Sequence, residues 1–226
     1  MSKPLGELPA SPISRESLAS GALLQQVVAH PGAGPLLTAA ERQARFDRLM
    51  TTVEPNRDLW LFAYGSMLWN PTVHYVQACT VKVQGWHRSF CLRSTFGRGS
   101  PERPGLMLAI EAGGECDGLA YRLAAATVRD ELHLLWQREM VTGVYQARWL
   151  DGRLADGSNV ALIAFVVDAK CHNYEPPGDE AHQAARIAQA AGMLGSNRDY
   201  LIRTAEYLRH HGLSDPYIDR LVQSLD

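Results

Sequence analysis

The pattern of apolar and polar positions divides the chain near residue 58. Before that point the apolar residues recur at helical spacing. Ser14 stands as a cap ahead of Leu18, Leu23, Leu24 and Val27, which predicts a helix to about His30. Pro31-Gly32-Ala33-Gly34-Pro35 breaks it. Thr38-Ala39-Ala40-Glu41 is a capping box, in which hydroxyl and carboxylate each satisfy a backbone N–H, and a helix to about Val53 is expected to follow. Met1 to Pro12 is rich in Pro, Gly and Ser and is expected to be disordered. Residues 1–57 therefore read as an N-terminal extension, partly disordered and then helical.

From Asp58 the period shortens to two. Strands are expected over Leu59–Ala63, Cys79–Trp86, Ser89–Arg93, Gly105–Glu111, Asp117–Leu123, Val144–Leu150 and Val160–Val167. Gly113-Gly114 and Asp151-Gly152 read as hairpin-like turns. Helical spacing returns late. Thr127-Val128-Arg129-Asp130 resembles a capped start for a helix to about Met140, and Glu180 to Ala191 is a second helix. Asn197 to His211 is a third, ended by Gly212, and Ser214-Asp215-Pro216 opens a last one. Strands first and helices mainly at the end indicate an α+β domain over residues 58–226 with a strongly curved or barrel-like sheet.

Composition narrows the function classes. The 226 residues are 46% hydrophobic and 20% charged, with a net charge of −2. That balance implies no broad basic surface for nucleic acid or an anionic membrane. No apolar run approaches the length of a membrane span, and no apolar leader follows Lys3. Cys79, Cys91, Cys116 and Cys171 are widely spaced and make no C-x-x-C. They read as buried small hydrophobes in a reducing cytoplasm, with neither a disulfide scaffold nor a metal site.

The helix after Thr127 carries the most informative carboxylate. Val128, Leu132, Leu135 and Trp136 form one apolar stripe, and Glu139 falls inside it, with Arg138 and Glu131 nearer the margin. A carboxylate aimed into a core has its pKa pushed towards the range of a general acid or base. The plainer reading is a terminal glutamate that bends to solvent or pairs with an arginine. Earlier in the chain, the Leu59–Ala63 strand runs into Tyr64-Gly65-Ser66-Met67. Successive N–H groups in such a turn can converge on an anion or a polarised carbonyl oxygen. Ser66 lacks the G-x-S-x-G context of a hydrolase nucleophile.

In Gly195-Ser196-Asn197-Arg198-Asp199-Tyr200, Asn197 is a candidate N-cap. Tyr200 is either a ligand-binding hydroxyl or a core-edge tyrosine. Gly97-Arg98-Gly99-Ser100, followed by Pro104-Gly105, is a substrate-covering loop or a long hairpin loop and lacks the spacing of a phosphate-binding P-loop. The pair His210-His211 sits at a helix end, where dipole-compatible surface residues are common.

Four segments occur in one order. They are Tyr64-Gly65-Ser66-Met67-Leu68-Trp69-Asn70-Pro71, Gly85-Trp86-His87-Arg88-Ser89-Phe90-Cys91, Leu135-Trp136-Gln137-Arg138-Glu139-Met140 and Gly195-Ser196-Asn197-Arg198-Asp199-Tyr200-Leu201. Together they resemble the ChaC family, the glutathione-specific γ-glutamylcyclotransferases, and most of all its bacterial members. The resemblance implies a small mixed β-barrel flanked by helices and a reaction that turns glutathione into 5-oxoproline and cysteinylglycine. It places the family's catalytic glutamate on Glu139 and its substrate loop on Tyr64, Gly65, Ser66 and Met67. Met67 stands for the usual leucine, a swap close in volume. The family's pocket tyrosine falls on Tyr200.

One departure is Leu106, where animal members commonly carry an arginine after Pro-Gly. It keeps open a cyclotransferase for other γ-glutamyl amines or peptides. A non-catalytic γ-glutamyl-binding regulatory protein is the reading from another class. No metal, nucleotide or other cofactor is expected.

Overall fold

The computed structural model describes residues 12–225. Most of the stretch expected to be disordered, residues 1–11, lies outside the described residues. Five strands close into a barrel in the order β1-β3-β2-β4-β5. They are β1 (Leu59–Ala63), β2 (Gln77–Ser94), β3 (Gly105–Leu123), β4 (Tyr145–Leu154) and β5 (Asn159–Val167). The barrel is mixed because β1 pairs antiparallel with β3 but parallel with β5. β1 is flanked on both sides and buried at Leu61, Phe62 and Ala63, which is why its five residues are almost uniformly apolar. The α+β barrel expected from the late return of helical spacing is what forms.

Two pairs of expected strands are single long strands. Cys79–Trp86 and Ser89–Arg93 are both parts of β2, and Gly105–Glu111 and Asp117–Leu123 are both parts of β3. The Gly113-Gly114 turn is not a hairpin. Both glycines have positive φ, as does Gly85 opposite them, and the register shifts between Gln84 and Trp86. The glycines thus make a bulge that bends two paired strands without ending them, which is how a long ladder curls round a barrel. Asp151-Gly152 is not a turn either, since both residues pair with β5. Gly152 is there for close packing: a Cβ would stand 2.4 Å from Leu162 Cδ1 and 2.7 Å from Val81 Cγ2. The β4–β5 turn comes later, at residues 155–158.

The first helical pattern splits into α1 (Arg15–Ala19) and α2 (Ala22–Ala29), because Gly21 takes a left-handed conformation with φ 74°. The second forms as expected. α3 (Ala39–Met50) begins in a complete Thr38–Glu41 capping box. α4 (Val128–Glu139) follows the barrel's third strand, although the Thr127 side chain does not cap it. α5 (Glu180–Gln189), α6 (Asn197–His210) and α7 (Pro216–Gln223) cover the other side, with Pro216 in the first turn of α7. The N-cap of α6 is Ser196, whose hydroxyl accepts the Asp199 N–H, and not Asn197.

α4 is the hinge between these layers. Leu132 and Leu135 enter the main core, and Phe46 of α3 meets Trp136 edge-on at 5.5 Å. On another face, Leu134 and the following Val141 join Leu18, Leu23 and Val27 in a second small core. Glu131 was expected at the margin of the stripe, but its side chain is 2% exposed. It accepts two hydrogen bonds from the Arg15 guanidinium, at 2.5 and 2.7 Å, and one from the His74 N–H at 3.0 Å. Burial opposes its ionisation, but these bonds and the Arg15 charge outweigh it and hold the carboxyl below its ordinary value.

Candidate active site

The end of β1 places the Tyr64 turn at the mouth of the barrel. Tyr64 is pinned at both ends: its hydroxyl donates to Phe165 O at 2.5 Å, and its carbonyl accepts from Arg88 Nε at 2.7 Å. Arg88 is itself buried and paired with Asp215 at 2.9 Å, so α7 steadies this turn from behind. Gly65 does not use the left-handed region, its φ being −133°. A Cβ there would stand 3.4 Å from the Tyr200 hydroxyl, an ordinary contact distance, so packing does not demand glycine either.

Ser66–Leu68 form a single 3-10 turn closed by Leu68 N–H on Gly65 O at 2.8 Å. The N–H groups of Gly65, Ser66 and Met67 take no acceptor among the described residues. They are the orphan donors of a helical N-terminus, a natural place for an oxyanion.

Glu139 closes α4 and reaches the same cavity as Tyr64, Gly65, Ser66, Met67 and Tyr200. Its side chain is 13% exposed, and among the described residues it pairs with its neighbour, Arg138 Nε to Glu139 Oε1 at 2.9 Å. Burial pushes the carboxyl above the ordinary glutamate value and outweighs the lowering effect of Arg138. Both earlier readings of this residue therefore hold in part: the carboxylate faces inward and also pairs with an arginine.

Arg138, expected at the helix margin, is only 4% exposed along its side chain. It donates to Asn70 O at 2.5 Å and to Ser66 Oγ at 2.7 Å. One guanidinium thus ties the carboxylate to the turn. It also engages the Ser66 hydroxyl, which bonds no imidazole or carboxylate among the described residues.

α6 supplies Tyr200, which packs edge-on against Trp69 at 5.6 Å and Phe90 at 6.0 Å. Burial pushes its phenol up to about 12, and Glu139 adds to the shift while Arg98 opposes it. Tyr64 and Tyr145 are pushed well above the ordinary value by burial first, then by neighbours that include Glu139. Three protonated phenols therefore surround one carboxylate.

Periodicity singled out neither Tyr145 nor Arg98 as a site residue. Tyr145 begins β4 and donates to Leu108 O at 3.3 Å. Arg98 lies in the β2–β3 connection, a hairpin loop of which Gly97 and Arg98 also line the cavity. The Arg98 guanidinium sits 5.2 Å from the Tyr200 ring centre and donates to Ser196 O at 3.2 Å. It has no carboxylate partner among the described residues, and burial pulls its pKa down. The available signal was its place between two glycines in a polar loop. Leu106 does not line the cavity; its side chain is buried in the main core.

Cys91 and Cys116 are buried, and burial pushes their thiols up to about 12 and about 11. Neither is poised as a thiolate nucleophile.

Residues 59–226 match the family model described as ChaC-like protein. A glutathione-specific γ-glutamylcyclotransferase of Escherichia coli (strain K12) is 40% identical over 191 residues, covering 84% of this chain and 83% of that one. Glutathione-specific γ-glutamylcyclotransferase 1 of Homo sapiens is 30% identical over 190 residues, covering 82% of this chain and 84% of its own. A crystal structure of a yeast γ-glutamyl cyclotransferase specific to glutathione superposes with a TM-score of 0.69 at 18% identity, over 75% of this chain and 96% of that one. At that identity it attests the shared fold.

Proposed function

The chain belongs to the ChaC-like protein family, and from that premise we infer that it is a glutathione-specific γ-glutamylcyclotransferase, forming 5-oxoproline and cysteinylglycine. The observation that carries the residue assignment is the shared cavity. It is lined both by a largely buried carboxylate with a raised pKa and by three residues whose backbone N–H groups take no acceptor among the described residues. We assign the chemistry to residues 58–226, with Glu139 as the base.

Glu139 takes a proton from the α-ammonium of the γ-glutamyl group. The freed amine attacks the γ-carbonyl carbon and closes a five-membered ring. The carbonyl oxygen gains charge as the new C–N bond forms, and the N–H groups of Gly65, Ser66 and Met67 receive it. The bond to the cysteinyl nitrogen then breaks, and Glu139 returns its first proton to that nitrogen. It then takes the second proton from the ring nitrogen, which leaves the lactam N–H, and passes it to the departing amine, which leaves as the ammonium. Nucleophile and electrophile belong to one substrate molecule, so holding it bent supplies much of the rate. Arg138 fixes the distance between base and turn. Arg98, a half-buried cation without a carboxylate partner among the described residues, receives a substrate carboxylate. Ser66 positions Arg138 and attacks nothing. The four unpaired cysteines accord with a reducing cytoplasm, where the thiol substrate stays reduced.

The direct test is to incubate the purified protein with glutathione and follow both products; failure to release 5-oxoproline and cysteinylglycine in equal amounts would sink the assignment. The pH profile gives a second check. The base must be ionised, and the Glu139 pKa is raised. Activity should therefore fall as pH drops through that raised value, with the acid limb of kcat/KM above the roughly 4.3 of a free glutamate side chain. A limb at or below that value would remove Glu139 as the base. Arg98→Met should raise KM roughly ten- to hundredfold, the worth of a charge-assisted hydrogen bond, with a smaller change in kcat. An unchanged KM would show that Arg98 holds no substrate carboxylate.

A further inference from the structure

The cavity is not built from the family-matched residues alone. Ile13, Leu23, Leu24, Val27 and Ala33 also line it, and all precede the matched segment 59–226. This N-terminal strap is fastened on both sides of the opening. At one end Arg15 grips Glu131, and the Asn70 side chain donates to Ile13 O at 2.8 Å. At the other, Thr95 Oγ1 donates to Gly32 O at 2.6 Å. Gly32 lies so close that a Cβ would stand 2.3 Å from Thr95 O. Between the anchors α1 and α2 rest on Leu134 and Val141.

We propose that this strap is the leaving-group wall of the substrate pocket, contacting the cysteinyl side chain and selecting for an uncharged, weakly polar group there. The proposal deepens the cyclotransferase reading and rests on it. The argument is one of matching. The γ-glutamyl half belongs at Glu139 and the Gly65–Met67 donors, and carboxylates belong at Arg98. The five strap residues offer the cavity only apolar side chains, with no charge and no side-chain hydrogen-bonding group. Of the leaving dipeptide, the cysteinyl side chain is the part such a wall accommodates at least desolvation cost. Leu24 is partly buried at this wall, whereas Val28 on the same helix is 63% exposed and does not line the cavity.

The test uses the full chain and three tripeptides: γ-Glu-Cys-Gly, γ-Glu-Abu-Gly with an ethyl side chain (Abu, α-aminobutyrate), and γ-Glu-Ser-Gly. An apolar wall should favour the ethyl over the hydroxymethyl side chain by about ten- to a hundredfold in kcat/KM. Leu24→Asn should shrink that preference by roughly tenfold, Leu24→Met should keep it, and Val28→Asn should leave it as in the parent. An unchanged ethyl-to-hydroxymethyl ratio in Leu24→Asn would overturn the proposal. So would an equal shift in Val28→Asn, which would mean that the strap acts through its folding and not through contact. A parent that discriminates equally poorly between the two side chains while cleaving glutathione would overturn the strap's role alone. A parent that releases 5-oxoproline from none of the three would overturn the reaction and the strap together.

Discussion

Glu139→Gln is expected to slow 5-oxoproline release by roughly a hundred- to ten-thousandfold, the usual worth of a positioned general base. Glutamine keeps the shape and the volume at the end of α4 but cannot take the proton from the α-ammonium. The fold should persist. The carboxylate is the less compensated member of its surroundings, being held by one ion pair against a burial cost that already raises its pKa. Arg138 retains its bonds to Asn70 and Ser66 when that charge goes. Circular dichroism and a thermal scan beside the rate measurement separate loss of chemistry from loss of structure. Parent-like turnover in a folded Glu139→Gln protein would end the mechanism proposed above.

The largest stability effect is expected at Asn197. Its side chain is 0% exposed and clamps one residue of β3 from both sides. Asn197 Nδ2 donates to Leu106 O at 2.7 Å, and Leu106 N–H donates to Asn197 Oδ1 at 2.6 Å. The fit is close enough that a Cβ on Gly105 would meet Asn197 Oδ1 at 2.6 Å. Asn197→Ala leaves a buried N–H and a buried C=O without partners. Each costs about 1–3 kcal/mol, so a loss of roughly 2–6 kcal/mol is expected. Urea unfolding monitored by tryptophan fluorescence measures it, and a loss below about 1 kcal/mol would show that the groups find other partners. The same clamp fixes the start of α6 against β3, and so the approach of Tyr200 to the turn. Weakened substrate binding is therefore expected to accompany the loss.

Leu106 links sequence and site in an unexpected way. The arginine that animal members commonly carry at this position kept open a preference for other γ-glutamyl substrates. In this chain the position is a core residue whose backbone serves the Asn197 clamp. A cation that lines the cavity with no carboxylate partner among the described residues is instead Arg98, on the preceding loop. Its role was not legible from periodicity, because a polar residue between glycines reads alike whether the loop folds over a cavity or stands in solvent. Asn197 misled for a related reason. Asparagine is a good N-cap by local chemistry, but Ser196 takes that place and frees the amide for a long-range clamp. Gly152 and Gly113-Gly114 were read as turns because glycine composition reports backbone freedom. The reason for the freedom differs: close packing against Leu162 in one case and a bulge in a curled ladder in the other.

The sequence by itself determined what depends on neighbours a few residues apart. The Thr38 capping box, the Pro216 helix start, the short β1 and the apolar stripe that carries Glu139 all follow from local spacing, and all four form. It also determined the α+β barrel, because strands at period two followed by amphipathic helices leave few other ways to bury both. Only the tertiary structure decided what depends on residues far apart in the chain. It joined Arg15 to Glu131, set Arg138 between Ser66 and Glu139, and laid Leu24 along the cavity that Glu139 of α4 also lines. Local propensity carries no information about such pairings. Their energies come from desolvation and contact, which exist only once the barrel has closed and brought those surfaces together.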